Sequence, residues 1–107
     1  MMNDKIENLL TELRNGLRPL YGQRLKGLYL YGSYARGEQD RESDLDVLII
    51  LDHIDHYAAE VDRTSDLVAS LSLKHGISIS RAFVSEPDWL NRDSPFLHTA
   101  RDEAIRV

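Results

Sequence analysis

The sequence predicts a small α/β domain: a mixed sheet of three to four strands with helices packed on it. Three observations predict it. Apolar residues recur at helical spacing near the N-terminus and again after residue 56. Three short apolar runs, rich in Leu, Ile and Val, have the length of strands. The two kinds of segment alternate along the chain in the order α-β-(α)-β-α-β-α, a pattern that layers helices on a sheet. With 107 residues, the chain fits one domain with a single modest core, spanning residues 1–107.

The first helix is expected over Asn3 to Leu17. Ile6, Leu9, Leu10, Leu13 and Leu17 form its apolar stripe, and Asn3 is a candidate N-cap. Pro19 and Gly22 mark its end. A strand follows near Leu25 to Tyr31, in which one of Tyr29 and Tyr31 is expected to point to the core. Residues 33–41 read as a short helix and an exposed loop. The second strand is Leu45 to Leu51, and Asp52 to Asp55 connects it to a long helix ending near Lys74. Tyr57, Val61, Val68 and Leu71 share one face of that helix, and Gly76 stops it. Ile77 to Val84 reads as a third strand. Ser85-Glu86-Pro87 opens a helical turn, and Ser94-Pro95 caps a last helix through Ala104.

The chemistry concentrates between the first two strands. Gly32-Ser33 follows the first strand, ten residues intervene, and Asp44-Leu45-Asp46 opens the second. A glycine permits a sharp turn and a close approach of phosphate to the main chain. Ser33 adds a hydroxyl where a helix could start, and Arg36 a positive fork for phosphate oxygens. Strand alternation puts Asp44 and Asp46 on one face, with Cα atoms roughly 7 Å apart. Two carboxylates that close repel each other unless a cation lies between them. Hard oxygen ligands at that separation suit Mg²⁺ shared with substrate phosphates.

The run Tyr31-Gly32-Ser33-Tyr34-Ala35-Arg36-Gly37-Glu38, with Asp44-Leu45-Asp46-Val47-Leu48-Ile49-Ile50, resembles the signature of the DNA polymerase β-like nucleotidyltransferase superfamily. Within it the chain is similar to the minimal nucleotidyltransferases, the antitoxin halves of modules whose partner is a helical HEPN ribonuclease. The resemblance implies Mg²⁺-dependent transfer of AMP from ATP to a tyrosine of that partner. Asp44 and Asp46 would be catalytic and hold Mg²⁺; Gly32, Ser33 and Arg36 would bind the nucleotide. The superfamily usually adds a third carboxylate on the next core strand. Here that strand, Ile77 to Val84, has no acid, and Ser78, or less favourably Ser80, stands in its place. Glu86 and Asp88 lie just beyond it. Two readings follow: a protein adenylyltransferase, or a degenerate member that neutralises the toxin by binding alone.

Composition narrows the classes. There is no cysteine, hence no disulfide and no zinc–thiolate site. No apolar stretch has membrane-spanning length, and the N-terminus lacks a signal-peptide core, so a cytoplasmic protein is expected. A net charge of −5 argues against broad nucleic-acid binding and suits a basic protein partner. His53 and His56 stand at metal-ligand spacing, but helix-end electrostatics accounts for that region, as it does for His75. His98 is expected at the surface, Trp89 as a core plug, and Tyr34 as half-exposed packing. Arg14, Arg18, Arg24 and Lys26 read as a solvated face, with substrate or partner contact as the alternative.

Overall fold

A computed structural model describes residues 4–107. The elements are α1 (Asp4–Tyr21), a single 3-10 turn (Gly22–Arg24), β1 (Leu25–Tyr31), α2 (Ser33–Arg36), β2 (Leu45–Leu51), α3 (Tyr57–His75), β3 (Ile79–Ser85), α4 (Glu86–Asn91), α5 (Pro95–Glu103) and β4 (Ile105–Arg106). The sheet order is β3-β2-β1-β4. β1 runs antiparallel to β2 and β4, while β3 runs parallel to β2. The parallel pair needs a long crossover, and α3 supplies it. This is the small mixed sheet with packed helices that the sequence predicts.

One face of the sheet carries the main core. Leu28, Leu30, Leu45, Val47, Ile49, Leu51 and Phe83 meet Leu9, Leu10, Leu13 and Leu17 of α1 and Leu71 of α3. The opposite face carries a smaller cluster, where Leu48, Ile50 and Ala100 pack with Tyr29, Tyr31, Ala82, Val84 and Trp89. β2 is therefore covered on both sides, and Asp46 is its one residue that is not fully buried. Trp89 of α4 and Ala100 of α5 pack on this second face, and Asp46, near the start of β2, stays only partly buried.

Several local readings shift. α1 continues through Pro19 to Tyr21. A proline inside a helix loses a hydrogen bond and costs about 3 kcal/mol. Here Tyr21, one turn beyond Leu17, is buried at 5% exposure, and its hydroxyl donates to Glu60 Oε1 at 2.8 Å, which offsets that cost. The proposed Asn3 cap lies outside the described residues. Both Tyr29 and Tyr31 point to the second face, as residues two apart on a strand must; Leu28 and Leu30 face the main core. β3 begins at Ile79 rather than Ile77. The two-residue β4, which has too short a run to announce itself, pairs with Tyr29 and Leu30. Ser85 and Ser94 cap α4 and α5, accepting from the amides of Asp88 and Leu97. Among the described residues, no helix is long and apolar enough to cross a membrane.

Candidate active site

The site is assembled where β1 ends and β2 begins. Tyr31 pairs directly with Asp46 across the antiparallel ladder, so the turn at Gly32 stands beside that carboxylate. Gly32 has φ +74°, in the region that side chains avoid, and a Cβ there would lie 2.4 Å from Asp46 Oδ2. Glycine is thus required twice, for backbone conformation and for space. The turn closes through Arg36 N–H to the Gly32 carbonyl at 3.1 Å and Glu38 N–H to the Ser33 carbonyl at 2.9 Å. Ser33 opens the one-turn α2, and Gly37, with φ +71°, ends it.

The next loop delivers the carboxylates. Asp40 Oδ1 accepts from the Glu42 amide at 2.9 Å, and the Asp40 amide donates to Ser43 Oγ at 2.9 Å, forming a compact polar turn. Asp44 follows, exposed, one residue before β2. The Leu45 amide then donates to the Ser78 carbonyl at 2.8 Å, pinning the start of β2 against the approach to β3.

Burial first, then the like charge of Asp44, pushes the Asp46 carboxyl above its ordinary range; Arg36 partly counters this. The charge of Asp44 is thus felt at the partly buried Asp46, and hard carboxylate oxygens of this kind could hold a divalent cation. Arg36 is already engaged: its Nε donates to Glu38 Oε1 at 2.6 Å and its Nη1 to Glu103 Oε2 at 3.1 Å. Its charge reaches Asp46, and its side chain is fixed between α2 and the end of α5. Glu103 left no sequence signal, because the pairing spans 67 residues.

The β2–β3 register pairs Asp46 with Ser80 and Leu45 with Ile79. Ser80, rather than Ser78, therefore stands level with Asp46 on the same face, where a third acid would have to be. Glu86 and Asp88 belong to α4, which starts only after β3 has ended at Ser85, well beyond the level of Ser80. Among the described residues, no group of three or more His, Cys, Asp or Glu is arranged to hold a metal.

An open groove of about 370 Å³ runs along the β3 edge, lined by Tyr57, Ala82, Val84, Phe96 and Leu97 among others. Phe96 in its wall meets the Tyr31 ring edge-on at 5.8 Å. Burial, then the charge of Asp46, raises the Tyr31 phenol, which stays protonated. Tyr57 stands edge-on to Phe83 at 5.7 Å, and its hydroxyl accepts from the Phe83 amide at 3.1 Å, capping a free N–H of the edge strand.

The remaining candidates have structural partners. His53 lies 3.1 Å from Asp52 and 3.5 Å from Asp55. His75 and Lys74 both pair with Glu12, tying the end of α3 to α1. Trp89 packs on Tyr29 at 4.9 Å, with the Arg101 guanidinium 5.9 Å from its ring; it plugs the second cluster, as the sequence suggests.

The chain belongs to the family of the nucleotidyltransferase domain, whose model matches residues 10–91, from α1 into α4. Its relatives narrow the likeness to protein adenylyltransferases. It is 39% identical over 80 residues to a putative protein adenylyltransferase of Methanocaldococcus jannaschii, covering 75% of this chain and 74% of that one. It is 34% identical over 85 residues to the protein adenylyltransferase MntA of Thermococcus cleftensis, covering 70% of this chain and 84% of that one. In fold it is similar to a toxin–antitoxin crystal structure with AMP-PNP, at TM-score 0.63 and 21% identity, over 94% of this chain and 70% of that one. It is similar also to an MntA–HpeT toxin–antitoxin mutant in which two aspartates two positions apart are changed to glutamate. That match has TM-score 0.57 and 18% identity, over 98% of this chain and 72% of that one.

Proposed function

We propose that this chain transfers AMP from ATP to a tyrosine hydroxyl of a HEPN-type toxin partner, and so acts as its antitoxin. The observation that carries this reading is the pairing of Tyr31 with Asp46, which sets the Gly32-Ser33 turn against a two-carboxylate edge. Asp44 and Asp46 would hold Mg²⁺, which would supply neutralisation of charge on the triphosphate. The Gly32 main chain and the Ser33 hydroxyl receive phosphate oxygens, and Arg36, fixed by Glu38 and Glu103, supplies a positive charge beside them. The acceptor oxygen bonds to the α-phosphorus, the bond to pyrophosphate breaks, and pyrophosphate leaves. β3 offers the Ser80 hydroxyl rather than a carboxylate to receive the acceptor's proton, so the proton passes to water and transfer is slow. The groove with Tyr57 and Phe96 on its walls suits an aromatic acceptor. The MntA relative and the toxin–antitoxin neighbours support the same partner class.

The Ser80 position also favours a second reading, a degenerate member that neutralises its toxin by contact alone. Incubation with the neighbouring toxin and ATP labelled at the α-phosphorus, with and without Mg²⁺, separates the two. Label on the toxin that depends on Mg²⁺ supports transfer. An unlabelled toxin held in a stable, inactive complex supports contact alone.

A further inference from the structure

Four cations converge at the end of the sheet remote from Asp46. Arg14 and Arg18 lie one turn apart on α1, Lys26 is near the start of β1, and Arg106 is on β4. All four line one cavity of about 280 Å³, and none of the residues lining it is Asp or Glu. A second hollow of about 400 Å³ continues past Arg14 and Arg106 toward Glu7. From Lys26 along β1 to Gly32 is roughly 20 Å at strand rise, so the cleft is distinct from the carboxylate edge.

The cleft is shaped rather than incidental. In the β1–β2 ladder Leu25 pairs with Leu51 and Gly27 with Ile50, which leaves Lys26 as an inserted residue in a bulge. Bulges re-aim side chains, and this one brings Lys26 to the cavity wall. Arg106 is fixed: it donates to Tyr29 Oη at 3.0 Å and to the Lys26 carbonyl at 3.3 Å, with its guanidinium 5.5 Å from the Tyr29 ring. Arg14 donates to the main-chain oxygen of Val107 at 3.4 Å. Elsewhere Arg24, Arg36, Arg63, Lys74 and Arg92 each meet a carboxylate. Among the described residues this cleft sets four positive side chains against no acidic side chain, and only the main-chain oxygen of Val107 meets Arg14 there. Like charges so placed repel unless an anion is bound between them, and guanidinium forks match phosphate oxygens.

We propose that this cleft binds a small polyphosphate anion, either pyrophosphate or the polyphosphate tail of a nucleotide, independently of the Asp44–Asp46 site. The inference rests on no part of the transfer reading. The test follows backbone amide NMR shifts of the full chain at low salt in EDTA, titrated separately with pyrophosphate, ATP and a single-stranded oligonucleotide. Saturable shifts at Lys26, Gly27 and Arg106 are expected with pyrophosphate or ATP. Affinity falls about tenfold in Arg18→Ser/Lys26→Ser and stays unchanged in Asp46→Asn. Equal affinity for the two ligands assigns the inorganic anion; tighter ATP assigns the nucleotide. If the double variant melts, Lys26→Ser alone, at an exposed bulge, still weakens binding. Shifts confined to residues 32–46, no saturation, or saturation with the oligonucleotide only would overturn the proposal.

Discussion

Asp46, a candidate site residue, opposes folding while it is ionised. Burial and the neighbouring Asp44 raise its folded pKa above the ordinary 3.8. An acid shifted this way favours the fold while protonated. That contribution is complete below pH 3.8 and is lost as pH rises through the raised value. At pH 7 the ionised carboxylate therefore lowers stability. Asp46→Asn should raise the Tm at pH 7 in metal-free buffer, and the gain should vanish below pH 3.8. Added Mg²⁺ should raise the Tm of the parent chain and leave that of the variant unchanged. Gly32 sets the other limit. Gly32→Ala meets both φ +74° and the Asp46 oxygen, so chemical denaturation should show a loss of about 1–3 kcal/mol. AMP transfer should be lost with it.

At the scale of the elements, β3 sets which side chain stands level with Asp46. Its parallel register puts Ser80 beside Asp46, with strands about 4.8 Å apart. Ser80→Asp should speed AMP transfer in Mg²⁺ by at least about tenfold, since a placed proton acceptor contributes in that range and beyond. Without Mg²⁺ the same change should lower the Tm, because it adds a third like charge. A rate unchanged in single-turnover assays would show that the position takes no part. This element also shows where sequence reading ends. The glycine, Ser33 and the two aspartates were legible because their spacing is local and their chemistry is unusual. The choice between Ser78 and Ser80 was not, since register depends on pairing with β2. The clamp of Glu103 on Arg36 and the cap of Tyr57 on Phe83 were also hidden, because they join elements far apart in the chain.

Over the whole molecule, the sheet separates the carboxylate edge from a polar cluster at its opposite end. There Glu60, 4% exposed, accepts from Tyr21 at 2.8 Å and from Arg63 at 3.1 Å, with Arg24 at 3.7 Å. Burial raises its pKa, but the hydrogen bonds and cations outweigh that, and the net shift is downward. Its stabilisation is present above pH 4.5 and is lost as pH falls through the lowered value. Glu60→Leu leaves the buried Tyr21 hydroxyl unpaired and should cost about 1–3 kcal/mol in denaturant melts, with AMP transfer at 25 °C unaffected in the folded fraction. The apolar stripe of α1 and the two-faced burial of β2 were legible from periodicity. The long-range polar cluster that joins α1 to α3 was not.

The central claim is that Asp44 and Asp46 carry nucleotide transfer to a partner protein. Intact mass spectrometry of both chains, after incubation of the purified protein with ATP, Mg²⁺ and its toxin, tests it most directly. A gain of one or more AMP units on the toxin is expected, lost when Asp44→Asn/Asp46→Asn replaces the parent chain. An unmodified toxin, or a gain that survives the double substitution, would contradict it.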